Sequence, residues 1–224
     1  DQRWAPFLTN HDQPRTMTVL DGNVAKAKIA ATALLTMPGL PFVYYGEEIG
    51  MTGTKPDERI RTPMQWSAGP GGGFTSGDPW QPLQDDAGTV NVAAQAEDPA
   101  SLLNHYRKLI HLHTEHPALA HGDFVPLETS KGAVAAYLRQ SKEETVLVVL
   151  NLGTDPADAV SLSGTETGLA AGNYVLTPLL DATMTADLVV DADGSLPDKA
   201  PLQTLVPLTG YVFQVQSQTP VSRT

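Results

Sequence analysis

No cysteine occurs among the 224 residues, which excludes disulfides, cysteine-based zinc sites and a thiol nucleophile while leaving the compartment open. Apolar runs are short: none approaches the roughly 18 residues of a membrane-crossing helix, and the amino end lacks the basic-then-apolar pattern of a signal segment. Basic residues are scarce as well, 14 Lys and Arg against 25 Asp and Glu, for a formal charge of -11. Phosphate backbones are bound by clustered Lys and Arg, and no such cluster exists here. Neither a nucleic acid nor a membrane is therefore expected as a partner, whereas a neutral ligand such as a sugar is compatible with the acidity without being demanded by it. Against these absences stands 41% hydrophobic content, enough to bury a core in one or two domains.

Residues 5 to about 10 form a first strand candidate, expected to be buried. Ile29, Ala30, Ala33, Leu34 and Met37 then recur at helical spacing until Pro38-Gly39 stops the helix. The next run, Leu40-Pro-Phe-Val-Tyr-Tyr45, is short, apolar and closed by Gly46, as a buried strand after a helix would be. Strand, helix and strand make a βαβ unit with the two strands parallel. A long aperiodic stretch follows from Gly46 to Glu97, and Trp66, Phe74 and Trp80 within it favour a functional loop over a linker. Asp98 is expected to cap, and Pro99 to begin, a helix with Leu102, Leu103, Tyr106, Leu109 and Ile110 on one face, ended by His116-Pro117. From Gly122 the texture changes to short runs at 124–127, 133–139, 145–151, 174–180, 188–190 and 211–215, separated by turn residues. That spacing predicts an antiparallel β-sandwich or barrel, with domains over 1–120 and 121–224.

The segment Phe7-Leu-Thr-Asn-His-Asp-Gln-Pro-Arg15 presents an imidazole, a carboxylate and a guanidinium where a strand gives way to a loop, since Pro14 blocks further pairing. Such a cluster suits a hydroxyl-rich ligand, although Asn-His-Asp-Gln-Pro also reads as an ordinary Asx-type turn. His111, His113 and His116 lack the i, i+4 spacing that puts two imidazoles on one helical face, so no metal site is expected there. Gly69-Pro-Gly-Gly-Gly73 lacks the Lys-Ser/Thr and helix of a phosphate cradle and reads as a flexible loop.

Four segments, in order, carry a family resemblance: Phe7 to Arg15; Pro38-Gly-Leu-Pro-Phe-Val-Tyr-Tyr-Gly-Glu-Glu-Ile-Gly50; Arg61-Thr-Pro-Met-Gln-Trp66; and Thr89-Val-Asn-Val-Ala-Ala-Gln95 with the helix after it and Pro117-Ala-Leu. Together they resemble the α-amylase superfamily of glycoside hydrolases, α-amylases and oligo-α-glucosidases in particular. The resemblance implies the last two βα units of a (β/α)8 TIM barrel followed by an antiparallel β-sandwich. It implies a retaining hydrolase of α-1,4-linked glucans, with an oligo-1,6-glucosidase or α-glucosidase, or a non-catalytic carbohydrate-binding or assembly module, as alternatives.

By the same resemblance, Asp12 and His11 are catalytic, gripping the hydroxyls of the distorting sugar, and Asn10, Arg15, Arg61 and Trp66 bind substrate. Arg15 and Arg61 equally suit buried pairing with Glu47 or Glu48. Those two adjacent acids diverge, so they are expected to pack rather than act as a catalytic pair. Trp66, Phe74, Trp80, Tyr44 and Tyr45 either stack on glucose or belong to the core. The family's Asp nucleophile and Glu acid would lie upstream of Asp1, which starts without Met and looks like the middle of a longer protein. The chain alone is therefore expected to be inactive, to need the missing amino-terminal barrel portion as partner, and to self-associate through exposed barrel edges. No cofactor is evident in it, and calcium stays open for the intact parent. The compartment is not legible, an extracellular or cell-envelope setting being slightly favoured.

Overall fold

The computed structural model describes residues 4–180 and 184–218. The chain divides into two compact units, residues 1–34 with 39–111, and residues 35–38 with 112–224.

In the first unit the two strand candidates lie parallel, joined by the bridge Phe7↔Phe42. Leu40 N donates to Trp4 O and Phe42 N to Pro6 O, each at 2.9 Å. The parallel pairing expected of a βαβ unit is present, but the expected burial is not: Phe7 is 47% and Phe42 55% exposed. Two short parallel segments cannot cover their own faces, and parallel pairs are buried only where other elements close over both sides. Between them run α1 (Thr16–Val19) and α2 (Val24–Thr36). Asn23 accepts Lys26 N on Oδ1 at 3.0 Å and so opens α2. Ala27, Ile29, Ala31 and Leu34 of α2 are buried, whereas Met37 lies one residue beyond the helix and is exposed.

The aperiodic stretch contains α3 (Asp57–Ile60) and α4 (Val92–Ala96), the latter capped by Asn91, whose Oδ1 accepts Ala94 N at 2.9 Å. The glycine-rich segment expected to be flexible is a compact 3-10 turn, Pro70–Gly73. Gly71, Gly72 and Gly73 all take φ between 61° and 69°, a left-handed region that glycine enters without penalty, and the Gly72 carbonyl accepts Trp66 N at 2.8 Å. The helix expected from Asp98 is α5 (Leu102–Glu115). Ser101 caps it instead, its Oγ accepting Asn104 N at 3.1 Å, while Asp98 Oδ1 holds a preceding turn through Ala100 N at 2.8 Å. Ile49, Met51, Met64 and Leu103 form an apolar cluster of this unit. Ile110, assigned to the apolar face of α5, is exposed.

In the second unit α6 (Pro117–His121) precedes eight antiparallel strands: β1 (Asp123–Thr129), β2 (Val134–Gln140), β3 (Thr145–Asn151), β4 (Ala157–Gly164), β5 (Gly172–Pro178), β6 (Ala186–Val190), β7 (Leu196–Leu205) and β8 (Thr209–Ser217). Their order is β6-β5-β8-β3-β2-β1-β4-β7, and the end strands β6 and β7 touch, so the sheet curls around on itself in a barrel-like arrangement. All eight strands feed one core, with Leu138, Leu147, Val160, Leu176, Leu202 and Phe213 fully enclosed. β4 and β7 were not among the expected strands. They pair with each other through two register shifts, and β7 carries Pro197 and Pro201, which an end strand tolerates because it need not donate on both sides.

The second face of β2 and β3 meets α6. There the buried Arg139 donates to Thr36 O at 2.6 Å and to Gly122 O at 3.0 Å, and burial lowers its pKa. Tyr137 OH lies 2.5 Å from Thr36 Oγ1, and burial pushes that phenol up to about 12.

Candidate active site

Just past the Phe7 bridge the chain turns sharply. Asn10 Oδ1 accepts Asp12 N at 2.9 Å and Thr9 Oγ1 donates to Pro14 O at 2.8 Å, so the segment is an Asx-type turn. The turn pushes His11 and Asp12 outward, with side chains 63% and 60% exposed. His11 Nε2 lies 3.3 Å from Asp12 Oδ2. Asn10 thereby shapes the turn with the side chain that was expected to meet substrate.

Arg61 joins this pair from the far side of the long loop. Its Nε donates to His11 O at 2.9 Å and its Nη2 to Asp12 Oδ1 at 2.9 Å and to Asp57 Oδ2 at 2.8 Å. Asp57, one helical turn earlier on α3, also binds Lys55, and these bonds hold its carboxyl below the usual range, the Lys55 hydrogen bond foremost. Asp57 was not singled out in the sequence, although an acid four residues before an arginine is a legible helical pairing signal.

Arg15, read as either a substrate contact or a buried partner of Glu47 or Glu48, is buried, 1% exposed. Its Nη1 donates to Tyr45 O at 2.6 Å, and its guanidinium carbon lies 4.7 Å from the ring centroids of both Tyr44 and Tyr45. Nε and Nη2 have no hydrogen-bond acceptor, so their electrostatic partners are the ring faces and the nearby Glu48. Burial lowers the guanidinium's pKa against the pull of Tyr45, Tyr44 and Glu48. Gly46 permits the approach: at φ +80° it has no side chain, and a Cβ there would stand 2.3 Å from Met51 Sδ and 3.1 Å from Arg15 Nη1.

Glu47 is buried too, accepting Tyr106 OH at 2.8 Å on one oxygen and Thr16 Oγ1 at 3.0 Å on the other. Burial raises its pKa and that of Glu48. Packing, not paired catalysis, is the arrangement both adopt. Trp66, Phe74 and Trp80 are exposed rather than core, with the glycine turn folded against Trp66. Of the three crowded histidines, His113 Nδ1 lies 2.9 Å from Leu35 O and His116 Nδ1 lies 2.9 Å from Glu144 Oε2. Among the described residues no group of three or more His, Asp or Glu is disposed to hold a metal ion.

The family model described as the alpha amylase catalytic domain matches residues 1–122. The chain belongs to that family of glycoside hydrolases. It is 38% identical over 150 residues to alpha-amylase 3 of Dictyoglomus thermophilum, a match covering 66% of this chain and 30% of that protein. To an oligo-1,6-glucosidase of Halalkalibacterium halodurans it is 34% identical over 185 residues, covering 65% and 33%. The crystal structure of an alpha-amylase from H. orenii superposes with a TM-score of 0.68 at 36% identity, over 94% of this chain and 39% of that one. The chain thus spans about a third of the length of the curated relatives it matches.

Proposed function

We propose that this chain is the carboxy-terminal part of a retaining α-glucan hydrolase that cleaves α-1,4-glucosidic bonds. Residues 1–120 supply the last two βα units of a (β/α)8 barrel, and residues 121–224 supply a β-sandwich domain. The observation that carries the reading is the exposed His11–Asp12 pair, held out by an Asx turn and gripped by Arg61, in a chain of this family. Cleaving a glycosidic bond builds positive charge at the ring carbon and flattens the sugar, and hydrogen bonds to ring hydroxyls that tighten in that state lower the barrier. Asp12 is the acceptor for such a bond and His11 the donor beside it, while Arg61 and the exposed Trp66 contact the same sugar chain. Retaining glycosidases flank the scissile bond with two carboxyl groups about 5 Å apart. Those groups come from the amino-terminal portion of the enzyme, so the 224-residue chain alone does not turn over. An oligo-1,6-glucosidase or α-glucosidase is the neighbouring alternative, in line with the name of one relative.

The test is Asp12→Asn in the full-length protein, assayed on maltooligosaccharides. Because the bond matters mainly in the transition state, kcat is expected to fall on the order of a hundredfold or more, with KM changed far less. A kcat close to wild type would refute the assignment. Maltooligosaccharide binding to the chain alone, if abolished by changes in residues 121–224 and indifferent to His11 and Asp12, would point instead to a carbohydrate-binding module.

A further inference from the structure

Arg61 owes its place to more than its own ion pairs. It is flanked by Ile60 and Thr62, and the carbonyls of both accept tyrosine hydroxyls: Tyr44 OH donates to Ile60 O at 3.2 Å and Tyr45 OH to Thr62 O at 2.7 Å. The peptide groups on either side of Arg61 are therefore pinned. The two rings that do the pinning are the two on which the buried Arg15 guanidinium rests. Arg15 in turn is the residue after Pro14, on the turn that presents His11 and Asp12, and its backbone N–H is tied to Gly53 O at 2.9 Å. The contacts close a ring: Arg15, Tyr44 and Tyr45, the carbonyls beside Arg61, Arg61 itself, then Asp12 and the backbone of His11, and along the turn to Arg15 again.

We infer that Arg15, Tyr44 and Tyr45 are positioning residues for the reaction, acting through Arg61 to set the direction of the Asp12 carboxylate. The inference rests on the reading that Asp12 meets the sugar. Arg61 needs such a clamp because its Nη2 is shared between Asp12 and Asp57, at nearly equal distances. Asp57 competes for the same Nη2, and its bond to Lys55 fixes it in place. Released from the tyrosines, the Arg61 backbone can shift toward Asp57, and the Nε bond to His11 O and the Nη2 bond to Asp12 that orient the carboxylate loosen with it. Burial pushes the Tyr44 phenol up to about 12, so this hydroxyl remains a donor through neutral pH. Tyr45 makes the shorter bond and is expected to matter more.

The experiment is a cycle of variants in the full-length protein with Asp12→Asn as reference. Tyr44→Phe and Tyr45→Phe delete the hydroxyls and keep the rings, so Arg15 retains its seat and thermal unfolding is expected to move little. Together they are expected to lower kcat/KM roughly tenfold, since a typical hydrogen bond is worth about a factor of five and the Tyr44 bond is long. Arg15→Lys is expected to produce a loss of the same order, because an ammonium cannot lie flat on two rings. The distinguishing measurement is the repeat in an Arg61→Met background. Residues that act through Arg61 lose their effect once it is gone, so the added loss there is expected to stay within about twofold, whereas residues that only hold the fold give the same factor in both backgrounds. Equal losses in both backgrounds would overturn the clamp, as would undiminished kcat/KM in an enzyme that Asp12→Asn does cripple. If Asp12→Asn itself were harmless, the proposed function would fail and the clamp with it. Should the double variant not accumulate, Tyr45→Phe alone carries the same cycle.

Discussion

Substituting Glu47 separates two costs that the wild-type side chain combines: holding a hydrogen-bond network together and burying a charge. Its two oxygens accept from Tyr106 and Thr16, and Tyr106 is 2% exposed with no route to water once its acceptor is lost. Glu47→Ala strands that hydroxyl, at about 1–3 kcal/mol, and removes one buried methylene at about 0.8 kcal/mol. A loss of about 3 kcal/mol is expected near pH 5. Glu47→Gln keeps the shape, offers a carbonyl to Tyr106 and an amide to Thr16, and is expected to lie within about 1 kcal/mol of wild type there.

The pH dependence then has a definite sign. Burial raises the native pKa of Glu47, so the folded state holds the proton more tightly than the unfolded chain does. The associated stability is whole below the unfolded value of about 4.3 and is lost as the pH rises through the native value. Glutamine is neutral throughout, so Glu47→Gln gains on wild type as the pH rises. Urea unfolding followed by tryptophan fluorescence is a clean readout, because Trp4, Trp66 and Trp80 all lie in the first unit. A gap between glutamine variant and wild type that stayed flat from about pH 5 to about pH 8 would refute the reasoning, as would a Gln variant as unstable as Ala.

Asn151, fully buried at the end of β3, donates through Nδ2 to the carbonyls of Asp155, Leu205 and Val206 and accepts Gly153 N. Asn151→Asp replaces the donor with a charge facing three carbonyls and is expected to cost about 3 kcal/mol or more, read by circular dichroism of the strands; a loss under about 1 kcal/mol would count against the network. The chain as it stands exposes Trp4, Phe7, Leu40 and Phe42 along one pair of parallel segments, and such a surface invites partners. Light scattering is expected to show self-association that rises with concentration and is relieved by adding the amino-terminal barrel portion proposed above; a monomer at every concentration would sink that expectation.

Local patterns in the sequence were sufficient wherever neighbours in sequence are neighbours in space. The 3.6-residue recurrence of Leu102, Leu103, Tyr106 and Leu109 is the buried face of α5, and the apolar run 145–151 is β3, enclosed on both faces. Patterns misled where a local device had a rival. Asp98 and Ser101 are both cap-forming residues, and the three-residue delay in the helix follows from Asp98 forming a turn of its own. β7 escaped notice because its prolines argue against a central strand, whereas it lies at the end of the order, where that argument lapses, and β4, paired on both sides, because its polar residues mask it. Buried strands were expected at Phe7 and Phe42 from their apolarity, which states what a surface needs and not whether this stretch of chain supplies it.

The site divides along the same line. The exposed placement of His11 and Asp12 was legible because a turn sets it, and Asn10, Asp12 and Pro14 write that turn locally. Arg61 was legible only as a residue type, since no rule of spacing says that a loop some fifty positions on will return to Asp12. Arg15 carried two readings, substrate contact or a buried seat near Glu47 and Glu48, and it is buried. A guanidinium beside an exposed polar turn is ordinarily expected to face solvent or a ligand, but two adjacent tyrosines and a left-handed Gly46 create a buried seat that outcompetes solvent for it. A polar residue near a site contributes either by touching the ligand or by fixing what touches it, and the two are told apart by which way the side chain turns. Arg15 turns inward, onto the rings whose hydroxyls bracket Arg61, and that direction makes it part of the frame on which Asp12 is aimed.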